Sequence, residues 1–267
     1  MKEAIREFFG FGELGFLREP EGYMSWQHLL SVTGFMIIMV GLAVYFGLKF
    51  KNKPESEKNK VLIWSAFLIN GVELTKIILH IVNDGSIWAI FDVLPLFLCS
   101  IQLITIPLAA FSRGRLKEAA LDFVFIFGVL GAVLGTYLAG NNYAAYPVFS
   151  FININSGITH SISGFAALYI VISGMTSMKK KNIPITYAIL TFVSALAYAA
   201  DLIGDYNYMF LMRGDGTPYD ILYNIVGGNP VLYPIGVMLI FYAYILAFNL
   251  TFNLIKNLVN KKKSMAK

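Results

Sequence analysis

Charge is scarce in this sequence. Only 14% of its 267 residues are Asp, Glu, Lys or Arg, while 57% are hydrophobic, against roughly 25% and 45–50% in soluble domains. A soluble fold of this length cannot bury so much apolar surface and still cover its outside with polar groups. Cysteine is nearly absent: Cys99 stands alone, which excludes an internal disulfide and any cysteine-rich metal or redox motif. The three histidines, His28, His80 and His160, are too scattered for a local metal-ligand spacing, so no metal is expected. Phosphate-loop and dinucleotide fingerprints are missing, and no cofactor is expected. The start, 1–20, is broken by glycines and charges, lacks the apolar core of a cleavable leader, and reads as an interfacial segment, with the aromatic and glycine-rich stretch 8–16 including Glu13 lying in the membrane surface. No internal repeat stands out, which disfavours the inverted-repeat transporter architectures.

What is present is apolar runs of about 20 residues, the length that crosses hydrocarbon. They predict a single all-α membrane domain over 1–267 with seven transmembrane helices at roughly 26–48, 61–83, 87–111, 119–138, 156–178, 183–206 and 231–258. The basic residues set the orientation. Sixteen flank one side, from Lys49–Lys60, Arg113–Lys117, Lys179–Lys181 and the C-terminal lysines, against four on the other. The positive-inside rule then puts the N-terminus outside, the C-terminus inside, and the chain in the cell membrane. The net charge of +5 is topological and gives no reason to expect nucleic acid.

Ionisable groups within spans are costly and so mark candidate sites. In the second span Asn70, Glu73, Lys76 and His80 follow helical spacing along one face. In the third Asp92, Pro95, Cys99 and Gln102 do the same, and Pro95 is expected to kink that helix and free a carbonyl. The sixth carries Asp201 and Asp205, the fifth His160, and the first opens with His28. All fall in the outer half of the expected bundle, with Cys99 near the midplane, while the inner half holds only Asp122. A hydrated cavity opening outward or to the outer leaflet follows. A turn-rich connection at 207–230 is expected to form a short interfacial helix around 220–226 that covers it.

The run Asp92-Val-Leu-Pro-Leu-Phe-Leu-Cys99-Ser100 resembles the Leu-Pro-Leu-His-Leu-Cys signature of the YwaF-like bacterial integral membrane proteins. More distantly it is similar to transmembrane protein 164, an acyltransferase that remodels phospholipids. The resemblance implies a thiol nucleophile at Cys99, an acyl-thioester, and membrane lipids as partners. By fit, His160 becomes the base, Asp92 or Asp201 its orienting carboxylate, and Gln102, Ser100 or freed backbone N–H groups the carbonyl-polarising donors. The chain departs from the signature at Phe97, where the family has histidine, so the base must come from His160 or His80. The expectation is therefore a lipid acyltransferase or acyl hydrolase, with catalytic Cys99, His160 and Asp92 and a cavity wall of His80, Glu73, Lys76, Gln102, Asp201, Asp205 and His28. A non-catalytic lipid-binding protein and a proton-coupled transporter stay open beside it.

Overall fold

The computed structural model describes residues 2–10, 15–176, 178–204 and 206–265. Glu13 and Asp205, singled out above, lie outside the described residues. The described chain is all-α, with no strand, and its helices in order are α1 (Lys2–Phe9), α2 (Trp26–Phe50), α3 (Glu55–Asp84), α4 (Gln102–Phe111), α5 (Gly114–Tyr137), α6 (Gly140–Ala145), α7 (Phe151–Ile172), α8 (Ile183–Gly204), α9 (Tyr219–Ile225) and α10 (Leu232–Met265). Five of them, α2, α3, α5, α8 and α10, are long and apolar enough to cross a membrane. The chain is a multi-pass membrane protein.

The other two expected spans take different forms. The fifth appears as α7, which has 22 residues, about 33 Å of helix. Its Asn153, Asn155, Ser156, Thr159, His160, Ser161 and Ser163 scatter polar side chains through its first half and interrupt the apolar run. The third is not one kinked helix. Ile87–Asp92 and Leu98–Ile101 are 3₁₀ turns, and only Leu98–Phe111 runs on as helix. Pro95 explains the break: it supplies no N–H and pushes Leu94 out of helical conformation, leaving a tight turn in which Leu96 N–H donates to the Leu94 carbonyl. Asp92 and Cys99 therefore do not share a helical stripe. Such irregular backbone is tolerated at membrane depth where it lines a cavity.

Helix starts and stops follow local chemistry. Ser25 caps α2 by accepting the His28 N–H at 3.2 Å, and Ser150 caps α7 through the Asn153 N–H. Gly85 ends α3 in the left-handed region, φ 76°, where glycine is unstrained. The short helix expected around 220–226 is found as α9.

In α5 the apolar window is 61% buried, against 17–33% in the other four long apolar helices. It is thus the central post, packed on α7 and α4, and the outer helices turn apolar faces outward as lipid contact requires. One apolar cluster joins α5 to α8, α10 and the 208–211 turn; a second joins it to α3, α4 and α7.

The connections gather at two ends. At one, Asn59 donates to the Ala110 carbonyl and the Tyr169 hydroxyl to the Lys58 carbonyl; here lie the basic loops. At the other, Val148 N–H donates to Glu21 and Tyr206 to Asp92. The cavity opens toward this second end.

Candidate functional site

Cys99 is the second residue of the helical run Leu98–Phe111. A helix start leaves its first N–H groups without intrahelical acceptors and concentrates partial positive charge there. The break at Pro95 is thus what brings a half-buried thiol to a helix N-terminus. Phe97, which stands where the family signature has histidine, packs edge-on against Tyr208 with ring centroids 5.0 Å apart.

Across from the thiol stands His160 of α7, and the two side chains line the same cavity. The Nδ1 of His160 lies 2.8 Å from the Ser156 carbonyl, one turn earlier, and 3.3 Å from the Ser156 hydroxyl. A carbonyl can only accept, so Nδ1 carries the proton and Nε2 presents a lone pair. Nε2 is shut off from solvent and has no hydrogen-bond partner, and it shares its cavity wall with the Cys99 thiol. The ring is oriented by backbone, and neither Asp92 nor Asp201 performs that task.

The position of the imidazole depends on a glycine. A Cβ built on Gly135 of α5 would sit 2.0 Å from Nε2 of His160, and one on Gly131 would lie 3.4 Å from the Cys99 Cβ. One on Gly128 would come within 2.7 Å of the Ser163 carbonyl. These three glycines, spaced by 3 and 4, form a smooth face on which nucleophile and imidazole lie. They escaped the sequence reading, although the spacing Gly128-x-x-Gly131-x-x-x-Gly135 inside an apolar run is the signal of close helix approach.

Cys99 and His160 border a cavity of about 920 Å³ whose wall includes Glu73, Lys76, His80 and Asp92. Glu73 is 6% exposed and ion-paired with Lys76. His80 Nε2 faces Asp92 at 3.6 Å, and Asp92 also accepts the Tyr206 hydroxyl at 3.0 Å. Six of the ten expected site residues are thus brought together. Asn155 was missed. Its side chain is buried, its Nδ2 is unpartnered, and it borders the same cavity.

Three others fall elsewhere. His28 is fully buried between Met24 N–H at 3.2 Å and the Thr136 carbonyl at 3.1 Å, stacked on Tyr143 at 3.9 Å; it ties α2 to the end of α5. Gln102 is buried beside Thr105, which donates to it at 3.0 Å, and stays off the cavity wall. Asp201 accepts the Tyr208 N–H at 2.7 Å and holds the turn in which Met209 and Phe210 adopt positive φ. His28 and Asp201 are polar because they hold backbone, which helical spacing alone cannot distinguish. Among the described residues no group of three or more His, Cys, Asp or Glu is arranged to hold a metal ion.

The model of the TMEM164 family matches residues 23–248, a stretch containing every element just described except α1 and the end of α10. The chain belongs to the TMEM164 family. The more distant of the two resemblances is therefore the one that holds, and the YwaF-like kinship is not confirmed. No curated protein and no solved structure matches the chain. As a family member it carries its thiol and imidazole inside the matched region, with Phe97 immediately before the helical run that bears Cys99.

Proposed function

We propose that this protein is a membrane-embedded lipid acyltransferase or acyl hydrolase in which Cys99 is the nucleophile and His160 the base. The observation that carries the reading is the neutral imidazole held by the Ser156 carbonyl, its Nε2 unpartnered and lining with the Cys99 thiol a cavity large enough for part of a lipid. His160 takes the thiol proton, sulfur attacks an acyl ester carbonyl, and the proton passes to the departing alkoxide. The Cys99 N–H at the helix start and the unpartnered Asn155 amide are the donors available for the developing oxyanion. Aspartate has no part in the proton path. Asp92, Lys76 and His80 instead offer charges of both signs to a lipid headgroup at the cavity wall.

In this reading the bundle crosses the membrane seven times, with α7 and the broken 87–111 segment completing the five long apolar helices. The N-terminus and the cavity face outside, the basic loops face inside, and the compartment is the cell membrane.

The test is a covalent adduct. Purified protein in micelles is mixed with acyl-labelled phosphatidylcholine or phosphatidylethanolamine, quenched in acid, and weighed intact. A mass increase of one acyl group, mapped to Cys99, is expected. Cys99→Ala abolishes it, and His160→Gln slows its formation about 10³-fold. A protein that never acquires the adduct, with turnover indifferent to Cys99→Ala, overturns the proposal. Phe97 favours a second reading, a lipid-binding protein that has given up catalysis; lipid retained in the purified protein together with an inert Cys99 would establish it.

A further inference from the structure

Continuous with the large cavity lies a small recess of about 20 Å³, lined by Glu73, Cys99, Ser100, Thr159, His160 and Ser163 and flanked by Ile69 and Leu103. A cavity needs roughly 10–15 Å³ and two to four polar partners to hold a water, so this one has room for a single molecule. The lining is rich in acceptors. Thr159 spends its hydroxyl proton on the Asn155 carbonyl at 3.1 Å, and Ser163 spends its own on the Thr159 carbonyl at 3.0 Å, so both turn oxygen lone pairs to the space. Lys76 engages Oε1 of Glu73, and Oε2 is a second acceptor on the same carboxylate. His160 Nε2 adds another lone pair. A molecule that fits must be small and give two protons, which describes water, and a water so held keeps its own lone pairs for an electrophile on the Cys99 sulfur.

We infer that this chamber holds the hydrolytic water that releases the acyl group from Cys99, with Glu73 as its positioning residue, so that the chain transfers acyl groups to water. The inference rests on the Cys99 reading above and names its acceptor. The water oxygen attacks the thioester carbonyl while one of its protons passes to Nε2 of His160. The tetrahedral intermediate collapses with cleavage of the carbon–sulfur bond, and the imidazolium returns that proton to the thiolate. A fatty acid leaves and the free thiol is restored. Glu73 accepts the water's second hydrogen and opposes the charge of the transient imidazolium.

The adduct on Cys99 is formed in ¹⁸O-enriched water with acyl-labelled phospholipid in micelles containing no lysolipid, and its decay is followed by intact mass. The expected result is decay in the wild type with one ¹⁸O in each released fatty acid. In Ser163→Val, which fills the recess with a methyl and leaves the large cavity untouched, decay slows about 100-fold while adduct formation keeps its rate. Glu73→Gln, which also removes the charge facing the His160 imidazolium, is expected to slow both steps and decay the more. An adduct that persists until lysolipid is supplied overturns the inference and leaves the Cys99 reading standing, as does decay that neither variant slows. A protein that forms no adduct overturns both.

Discussion

Two buried carboxylates at opposite ends of the bundle separate a structural polar group from a chemical one. Asp122, 2% exposed, accepts the Thr176 hydroxyl at 2.8 Å, the Met178 N–H at 3.0 Å and the Asn182 amide at 2.8 Å. Asn249 and Asn253 then donate to the Met178 carbonyl, closing a network that pins the 173–182 connection. Glu73, at 6%, meets one lysine and two cavities. Sequence position makes the two alike, each being a carboxylate within an apolar helix. Their surroundings do not. A saturated group has its hydrogen-bonding capacity spent on the fold, while a group facing space keeps capacity for a ligand. The same contrast divides the histidines: both nitrogens of His28 are engaged by backbone, and one nitrogen of His160 is not.

Asp122→Ala sharpens the comparison most. It strands three donors, at about 1–3 kcal/mol for each buried group left unpaired. We expect a large fall in the thermal midpoint of the detergent-solubilised protein, with Cys99 acylation per folded molecule unchanged. Acylation lost in proportion to Asp122 in protein that remains folded would break the division between the two ends. Next comes Gly135→Ala, whose added carbon would stand 2.0 Å from His160 Nε2. It displaces the imidazole, and a misplacement near 1 Å costs about 100-fold in rate; a stopped-flow measurement of adduct formation checks this.

The smallest effect concerns Glu7, outside the membrane-spanning helices, whose carboxylate accepts the Leu17 and Arg18 N–H groups at 2.9 Å each. Those bonds hold its carboxyl below the usual carboxylate range. Because the folded value is the lower one, the clamp is intact at neutral pH and its contribution is lost as pH falls through that depressed value. Hydrogen exchange at Leu17 and Arg18, corrected for intrinsic rates, is expected to accelerate in acid, and Glu7→Gln to remove the dependence.

The apolar runs made the helices legible, and the cost of polar groups in lipid pointed to Cys99, His160, Glu73 and Lys76. What helical spacing misjudged was the 93–97 stretch. Treated as helix, it aligned Asp92, Cys99 and Gln102; once Pro95 breaks it, Asp92 turns to His80 and Gln102 to Thr105. The orienting group of His160 was hidden for another reason. Every residue has a carbonyl, so nothing in the letters marks that of Ser156 as the one that selects the tautomer. Gly131 and Gly135 were hidden because a missing side chain looks like indifference until its neighbour is known.

The interrupted 87–101 stretch has a consequence for traffic. Only the 14 residues of Leu98–Phe111 run on as helix there, about 21 Å, short of the roughly 30 Å of a hydrocarbon core. Beside that low sill Ile87 and Trp88 are 64% and 73% exposed, so the approach past them to a cavity that opens at the loop end is apolar. For a molecule that enters by this route, dilution within the plane of the bilayer governs encounter, and its concentration in bulk water does not.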